Sequence, residues 1–252
     1  MLTQPLVILV GLILLAIVYL YTAGDVQSMQ VASDRYEQDV FILKFSPWTS
    51  TAISIIMAAF LGATTIPYER LKSSLNVLLT KPLYRKDYVL GKFFGLAGFM
   101  LIFNIAVFLI ACLLITICFR GPLSITEFIT RGMLHLVILT LICSLVIALN
   151  MLFGIISKNI LFVTAATMTY VFIDLLWYSD KFLGELYKLT PVNLYYKIND
   201  PMISTMYPAL RDTTVPISQW LNAAAPYLII LIIETLVLLL IGVRMFSKED
   251  NI

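Results

Sequence analysis

Three ionisable side chains interrupt long apolar runs of this 252-residue chain: His135, Asp174 and Glu234. A charged group in the middle of a bilayer costs roughly 2.5–3.5 kcal/mol on insertion scales, so such groups are usually functional or paired. One hypothesis makes them, with Asn104 and Asn150, a polar lining for a translocation path or a proton-linked switch. The alternative, which we favour, is a structural network in which His135 pairs with Asp174, and Glu234 is protonated or bonded to Asn104 or Asn150.

The sequence has no motif that would place catalysis, a metal or a nucleotide on this chain. It lacks the G-x-x-x-x-G-K-[ST] loop that cradles phosphates, and its single histidine excludes an H-E-x-x-H zinc protease. It also lacks a G-x-S-x-G nucleophile turn. We therefore predict no catalytic residue, no metal site and no bound cofactor.

Composition defines the class of protein that must position these residues. Hydrophobic residues make up 60% of the chain and charged residues 13%, with a formal net charge of +2. Charged residues are about a quarter of an ordinary soluble domain, and a charge of +2 is too small for binding a nucleic-acid backbone. Together with a mean hydropathy of +0.94, these values exclude a soluble enzyme, a disordered chain and a nucleic-acid-binding domain, and predict an all-α polytopic membrane protein.

Six stretches are long and apolar enough to cross a bilayer, which takes about 20 residues in a helix. We interpret the chain as one domain over residues 1–252, with a long segment 179–222 whose mixed apolar and charged residues predict short amphipathic or re-entrant helices. The six predicted membrane spans are residues 6–22, 48–66, 93–119, 132–156, 161–178 and 223–246.

The loop charges predict the orientation. Segment 67–92 has six basic and two acidic residues, a net charge of +4, whereas loop 23–49 has a net charge of −2. Because basic loops stay on the cytoplasmic side, we place segment 67–92 in the cytoplasm. An even number of spans then places both termini in the cytoplasm. We expect the membrane to be the plasma membrane.

Segment 67–92 also has the pattern of a helical hairpin. Leu71, Leu75, Leu78 and Leu79 fall on one helix face, and Pro82 stops the helix before the next span begins. A short amphipathic helix on the membrane surface follows from this pattern. It either rests against lipid headgroups or docks a cytoplasmic partner.

The residues of this hairpin resemble the signature of ABC-2 type transporter permeases. The match consists of Glu69-Arg70, Ser74-Leu75, Leu78-Leu79-Thr80, Pro82, Arg85 and Gly91-Lys92. Leu71 and Ser73 depart from the acidic residue and the glycine of that signature. The family's amphipathic helix before the first span is also not visible, so we expect that it is missing or that the start is truncated. Asp174 with its neighbours and the run 193–199 are similar, over a shorter stretch, to the permease of the nitrous-oxide-reductase maturation transporter.

The resemblance implies a coupling helix in the hairpin that fits a cleft on a separate ABC ATPase. It implies two ATPase copies that hold ATP and Mg²⁺, and a second permease copy in a homodimer or heterodimer surrounded by lipid. The docking contacts that it implies are Glu69, Arg70, Lys72, Ser73, Ser74, Asn76 and Arg85. A proton-coupled carrier or channel that uses Glu234 and Asp174 is the alternative function, and an intramembrane enzyme is the third.

Overall fold

The computed structural model describes residues 47–71, 85–118, 124–157, 159–175, 183–201, 209–210 and 215–248. These residues form helices and short connections, and no strand occurs among them. The first predicted span, residues 6–22, and the middle of the hairpin, residues 72–84, lie outside the described residues.

Four helices are long and apolar enough to cross a membrane. They are α1 (Pro47–Leu71), α2 (Arg85–Cys118), α3 (Ile125–Ile156) and α6 (Ile217–Ser247). A fifth apolar helix, α4 (Ile160–Leu175), has 16 residues, which is about 24 Å at 1.5 Å per residue. The described part of the chain thus has four candidate spans, where the sequence predicts five over the same region.

Three of these helices begin before the predicted spans do. Helices α2, α3 and α6 begin at Arg85, Ile125 and Ile217, whereas the apolar runs begin at residues 93, 132 and 223. Hydropathy identifies only the apolar part of a helix. The backbone hydrogen bonds of the helix continue beyond that part until a capping residue ends the helix. In α3 that cap is Ser124, whose hydroxyl accepts a hydrogen bond from the Glu127 amide at 3.4 Å.

Helix α3 lies at the centre of the bundle, in contact with α1, α2, α4 and α6. Most of α1 and α3 is buried, whereas α2 and α6 expose most of their apolar side chains. Helix α1 approaches α3 closely at Gly62, where an added Cβ would lie 3.0 Å from Asn150 Cβ. The small residue Gly62 thus allows two helices of one subunit to pack closely.

Two short helices follow α4. The first is a 3-10 helix, Gly184–Leu189, and the second is α5, Pro191–Asn199. Thr190 caps α5 by accepting a hydrogen bond from the Asn193 amide at 3.4 Å, and Pro191 occupies the first turn, where its missing amide hydrogen costs nothing. Helix α5 packs against α3, α4 and α6 at one end of the bundle. We call this end the far end, and the opposite end, next to segment 67–92, the hairpin end.

Candidate functional site

At the hairpin end, Glu69 connects the two helices that flank the predicted coupling helix. It lies in the last turn of α1, and its carboxylate accepts hydrogen bonds from Tyr88 Oη and Lys92 Nζ, both on α2. Tyr88 and Lys92 are four residues apart, so they share one face of α2. Glu69 was predicted from the sequence as an ATPase contact, and the structure places its carboxylate against α2.

The same cluster continues into the last helix. The Tyr88 ring stacks on Phe246 of α6, with 5.5 Å between ring centroids and an angle of 18° between the planes. Lys92 Nζ lies 5.9 Å from the centroid of the Tyr88 ring. Phe246 is fully buried and Tyr88 nearly so. We call Glu69, Tyr88, Lys92 and Phe246 the hairpin-end cluster, and it joins α1, α2 and α6.

Helices α1 and α3 also meet closely at this end. Pro67 of α1 lies against Gly154 of α3, and a Cβ added to Gly154 would be 3.1 Å from Pro67 Cδ. For the other predicted docking residues, the structure gives only the helix to which two of them belong. Arg70 and Arg85 belong to helices α1 and α2, and Lys72, Ser73, Ser74 and Asn76 lie outside the described residues.

At the far end, Asp174 holds the start of α5. Its Oδ2 atom accepts a hydrogen bond from the Val192 amide at 3.1 Å, in the first turn of that helix. A carboxylate is favourable there because the first amides of a helix have no partner within it and carry a partial positive charge. Asp174 is buried, and this bond gives it a structural role.

His135 reaches the same helix from α3. Its ring lies edge-on to the ring of Tyr195, with 6.2 Å between centroids, and both residues are buried. His135 and Asp174 therefore both contact α5, His135 through Tyr195 and Asp174 through Val192.

Arg131 is a far-end residue that sequence analysis did not single out. Its side chain is only 3% exposed, and its two terminal nitrogens donate to the carbonyls of Leu210 at 2.8 Å and Val215 at 2.9 Å. Its Nε atom lies 3.8 Å from the Glu127 carboxylate. The sequence signal was the arginine's place just before an apolar run, seven residues after Ser124.

Trp220 of α6 completes the attachment of α5. Its indole nitrogen donates to the Ile198 carbonyl at 2.9 Å, and the side chain is 1% exposed. Helix α5 and the chain after it are thus attached to α3 through Arg131, to α4 through Asp174 and to α6 through Trp220. We call these three residues the far-end anchors.

The remaining predicted polar residues have separate neighbours. Asn104 Nδ2 lies 3.4 Å from Thr140 Oγ1 and 4.0 Å from Cys143 Sγ, and Asn150 Nδ2 lies 3.5 Å from the Ala59 carbonyl. Glu234 has a buried Oε2 atom with no hydrogen-bond partner among the described residues. The Asn104 amide faces α3 and the Asn150 amide faces α1, and the protonation of Glu234 or its bond to one of these amides stays a prediction.

Among the described residues, no group of three or more His, Cys, Asp or Glu side chains could hold a metal ion. The polar chemistry of these residues consists of contacts between helices, at the hairpin end through side chains and at the far end through backbone groups.

Comparison with protein families gives the class. The family model of the ABC-2 family transporter protein matches residues 2–251, nearly the whole chain. The chain belongs to this family, which makes it a multi-pass membrane protein with a role in transport and confirms the resemblance seen in the hairpin. A search of individually curated proteins finds no match.

Proposed function

We propose that this chain is the membrane-spanning permease subunit of an ABC-2 type transporter. It moves its substrate across the plasma membrane with ATP hydrolysed by a separate ATPase subunit that docks on segment 67–92. Family membership supports the transport role. The observation that carries the docking proposal is Glu69, since it connects the two helices flanking segment 67–92 to each other through Tyr88 and Lys92.

A docking element must pass movement on to the helices that it joins. Segment 67–92 is continuous with α1 and α2, and the hairpin-end cluster holds the ends of these helices together with the end of α6. A push on the segment would therefore act on three helices at once. The net charge of +4 in segment 67–92 supports its placement in the cytoplasm, where an ATPase would meet it.

The rest of the proposed assembly follows from the same role. Because the sequence has no phosphate-binding loop, ATP and Mg²⁺ belong to the ATPase, of which we expect two copies. A second permease copy, identical or related, would complete the membrane part. Both chain termini would lie in the cytoplasm.

The test is to purify the chain with its ABC ATPase and to measure ATP turnover and co-purification. Replacing Lys72 and Asn76 together with alanine should lower both by about tenfold, the effect of losing some 1.4 kcal/mol of binding. Lys188→Ala is the matched control, because Lys188 is an exposed lysine at the far end. If the hairpin variant retained full co-purification and turnover, docking on this segment would be disproved.

Glu234 supports a second candidate, a proton-coupled carrier. Its buried Oε2 atom has no hydrogen-bond partner among the described residues, as expected for a carboxyl group that exchanges a proton. Asp174, the other residue of that hypothesis, is already bonded to Val192. Transport that continues without any ATPase and collapses in Glu234→Gln would favour the carrier.

A further inference from the structure

We propose that Tyr88 and Phe246 are positioning residues of a mechanical relay, which carries movement of the hairpin into α6 and along it to α5 at the far end. This inference rests on the proposed function, because it needs an ATPase that moves the hairpin.

The relay begins at Glu69. This residue lies two positions before the end of α1, directly next to segment 67–92, and its carboxylate binds both Tyr88 Oη and Lys92 Nζ. Hydrogen bonds to an ionised group are the stronger ones, and two donors on one face of α2 fix the carboxylate relative to that helix. Movement of the α1 end is therefore transmitted to α2 at Tyr88.

The second step crosses from α2 to α6. The rings of Tyr88 and Phe246 are stacked and are 8% and 0% exposed. Side chains inside a protein are packed as densely as an organic crystal, so one ring of such a stack cannot be displaced without moving the other or opening a void. The stack thus transmits movement of Tyr88 to the end of α6.

The third step runs along α6. This 31-residue helix buries few large side chains, and the two largest that are fully buried, Trp220 and Phe246, lie near its opposite ends. They are about 39 Å apart at 1.5 Å per residue. Between them most apolar residues of α6 are exposed, and the helix contacts mainly α3 and α2 along its length among the described helices, so a displacement of one end of α6 is expected to reach the other.

The fourth step is the bond from Trp220 Nε1 to the Ile198 carbonyl in the last turn of α5. Through it, a displaced α6 pulls directly on α5. The two ends of the bundle are thereby connected through α6 and two buried aromatic side chains, in addition to the contacts of α6 with the central helix α3.

The experiment measures movement at the far end in the complete complex of permease and ATPase. Spin labels are placed at Asn222 of α6 and Ile129 near the start of α3, both exposed, and the distance between them is recorded with and without ATP. Tyr88→Phe removes the hydroxyl that binds Glu69 and keeps the ring, whereas Phe246→Leu removes the stack and keeps an apolar side chain. Phe94→Leu, on the exposed face of α2, is the control.

We expect the ATP-dependent distance change to fall about twofold in Tyr88→Phe and about fivefold in Phe246→Leu, in line with the worth of a hydrogen bond and of an aromatic pair. ATPase co-purification of Tyr88→Phe should stay at the value of the unsubstituted protein and its melting temperature should fall by only a few degrees, as for one lost hydrogen bond, so that the loss of movement separates a positioning role from a merely structural one. Because the two contacts act in series, their losses should multiply, to about tenfold in the double variant.

Three outcomes would overturn the relay. They are a full distance change in both single variants, a double variant that loses no more than Phe246→Leu alone, and an equal loss in Phe94→Leu. Absence of ATPase from the unsubstituted complex is a different failure, because it would refute the proposed function and the relay with it. If Phe246→Leu did not fold, Tyr88→Phe would still decide the first step.

Discussion

The two ends of the bundle are held by different kinds of contact. At the far end, all three anchors bond to backbone groups: Arg131 to two carbonyls, Asp174 to an amide and Trp220 to a carbonyl. At the hairpin end, Glu69 bonds to two other side chains. The three anchors are almost fully buried, whereas the side chains of Lys92 and Glu69 are 31% and 18% exposed.

This difference has a mechanical meaning. A backbone group cannot turn away from its partner, so a buried bond to it holds two segments in one arrangement. A side-chain pair near water can break, turn and form again at small cost, because solvent replaces the lost contact. We therefore interpret the far end as a unit that keeps one internal arrangement when it moves, and the partly exposed Lys92–Glu69 pair at the hairpin end as the contact that can change partners during a transport cycle.

The largest expected effect is at Arg131. Arg131→Met keeps an apolar side chain of similar length but removes the donors to Leu210 and Val215. We expect the free energy of unfolding to fall by about 3 kcal/mol, because hydrogen bonds from a charged group are worth roughly 1.5–3 kcal/mol each and the two carbonyls stay buried. Equilibrium unfolding in mixed micelles measures this loss.

Salt provides the control for Arg131. Since the guanidinium is buried, raising NaCl from about 0.1 M to about 1 M should change the loss very little, as screening acts mainly on exposed charges. A loss below about 1 kcal/mol, or one that disappears in salt, would show that the far end is held no more firmly than an exposed ion pair.

A smaller effect is expected at the hairpin end. Lys92→Met removes the ion pair with Glu69, and partly exposed pairs contribute about 0.2–1 kcal/mol. We expect a loss within this range that shrinks as NaCl is raised, measured in the same micelle titration. Lys248→Met at the end of α6 is the matched control, because Lys248 is an exposed lysine at the same end of the bundle. A loss as large as that of Arg131→Met would remove the contrast between the two ends.

The sequence predicted the parts of this fold that depend on helix length and hydropathy. The all-helical architecture is confirmed and four apolar helices can span a membrane, because about 20 apolar residues in a row have few alternatives to a membrane helix. The family was also predictable, since its signature lies in one continuous segment, and the family model confirms it. The docking residues and the orientation remain predictions.

The polar contacts were not predictable from the sequence, and the reason is physical. Asp174 and Arg131 are bonded to backbone groups of Val192, Leu210 and Val215, and every residue offers such groups, so no residue pattern marks the partner. Tyr88 and Phe246 are 158 positions apart in the chain and meet only because α2 and α6 pack together. The residue pattern of one helix does not identify the helix that packs against it.

The smallest effect is expected where a charged pair is most exposed. Glu185 and Lys188 pair across the 3-10 helix at 2.5 Å, with side chains 88% and 70% exposed. The hydrogen bond from Lys188, and then its positive charge, lower the pKa of Glu185 below its usual 4.5, and the same bond and the negative charge of Glu185 raise the pKa of Lys188 above 10.5. A carboxyl group whose pKa is lower in the folded chain stabilises the fold at every pH above its pKa in the unfolded chain. This stabilisation is lost as the pH falls through the pKa in the folded chain. An amine whose pKa is higher in the folded chain stabilises the fold at every pH below its pKa in the unfolded chain. This stabilisation is lost as the pH rises through the pKa in the folded chain.

Both contributions are therefore present between about pH 5 and about pH 9, but water screens a pair this exposed. Glu185→Gln should leave the melting temperature in detergent unchanged within about 2 °C across that range. Glu127→Gln provides a comparison, because the Glu127 carboxylate lies 3.8 Å from the buried Arg131 side chain. A clear drop in the melting temperature of Glu185→Gln would mean that the 3-10 helix is covered by lipid or by another subunit. Only in such a less polar environment would this ion pair contribute as much to stability as the buried far-end anchors.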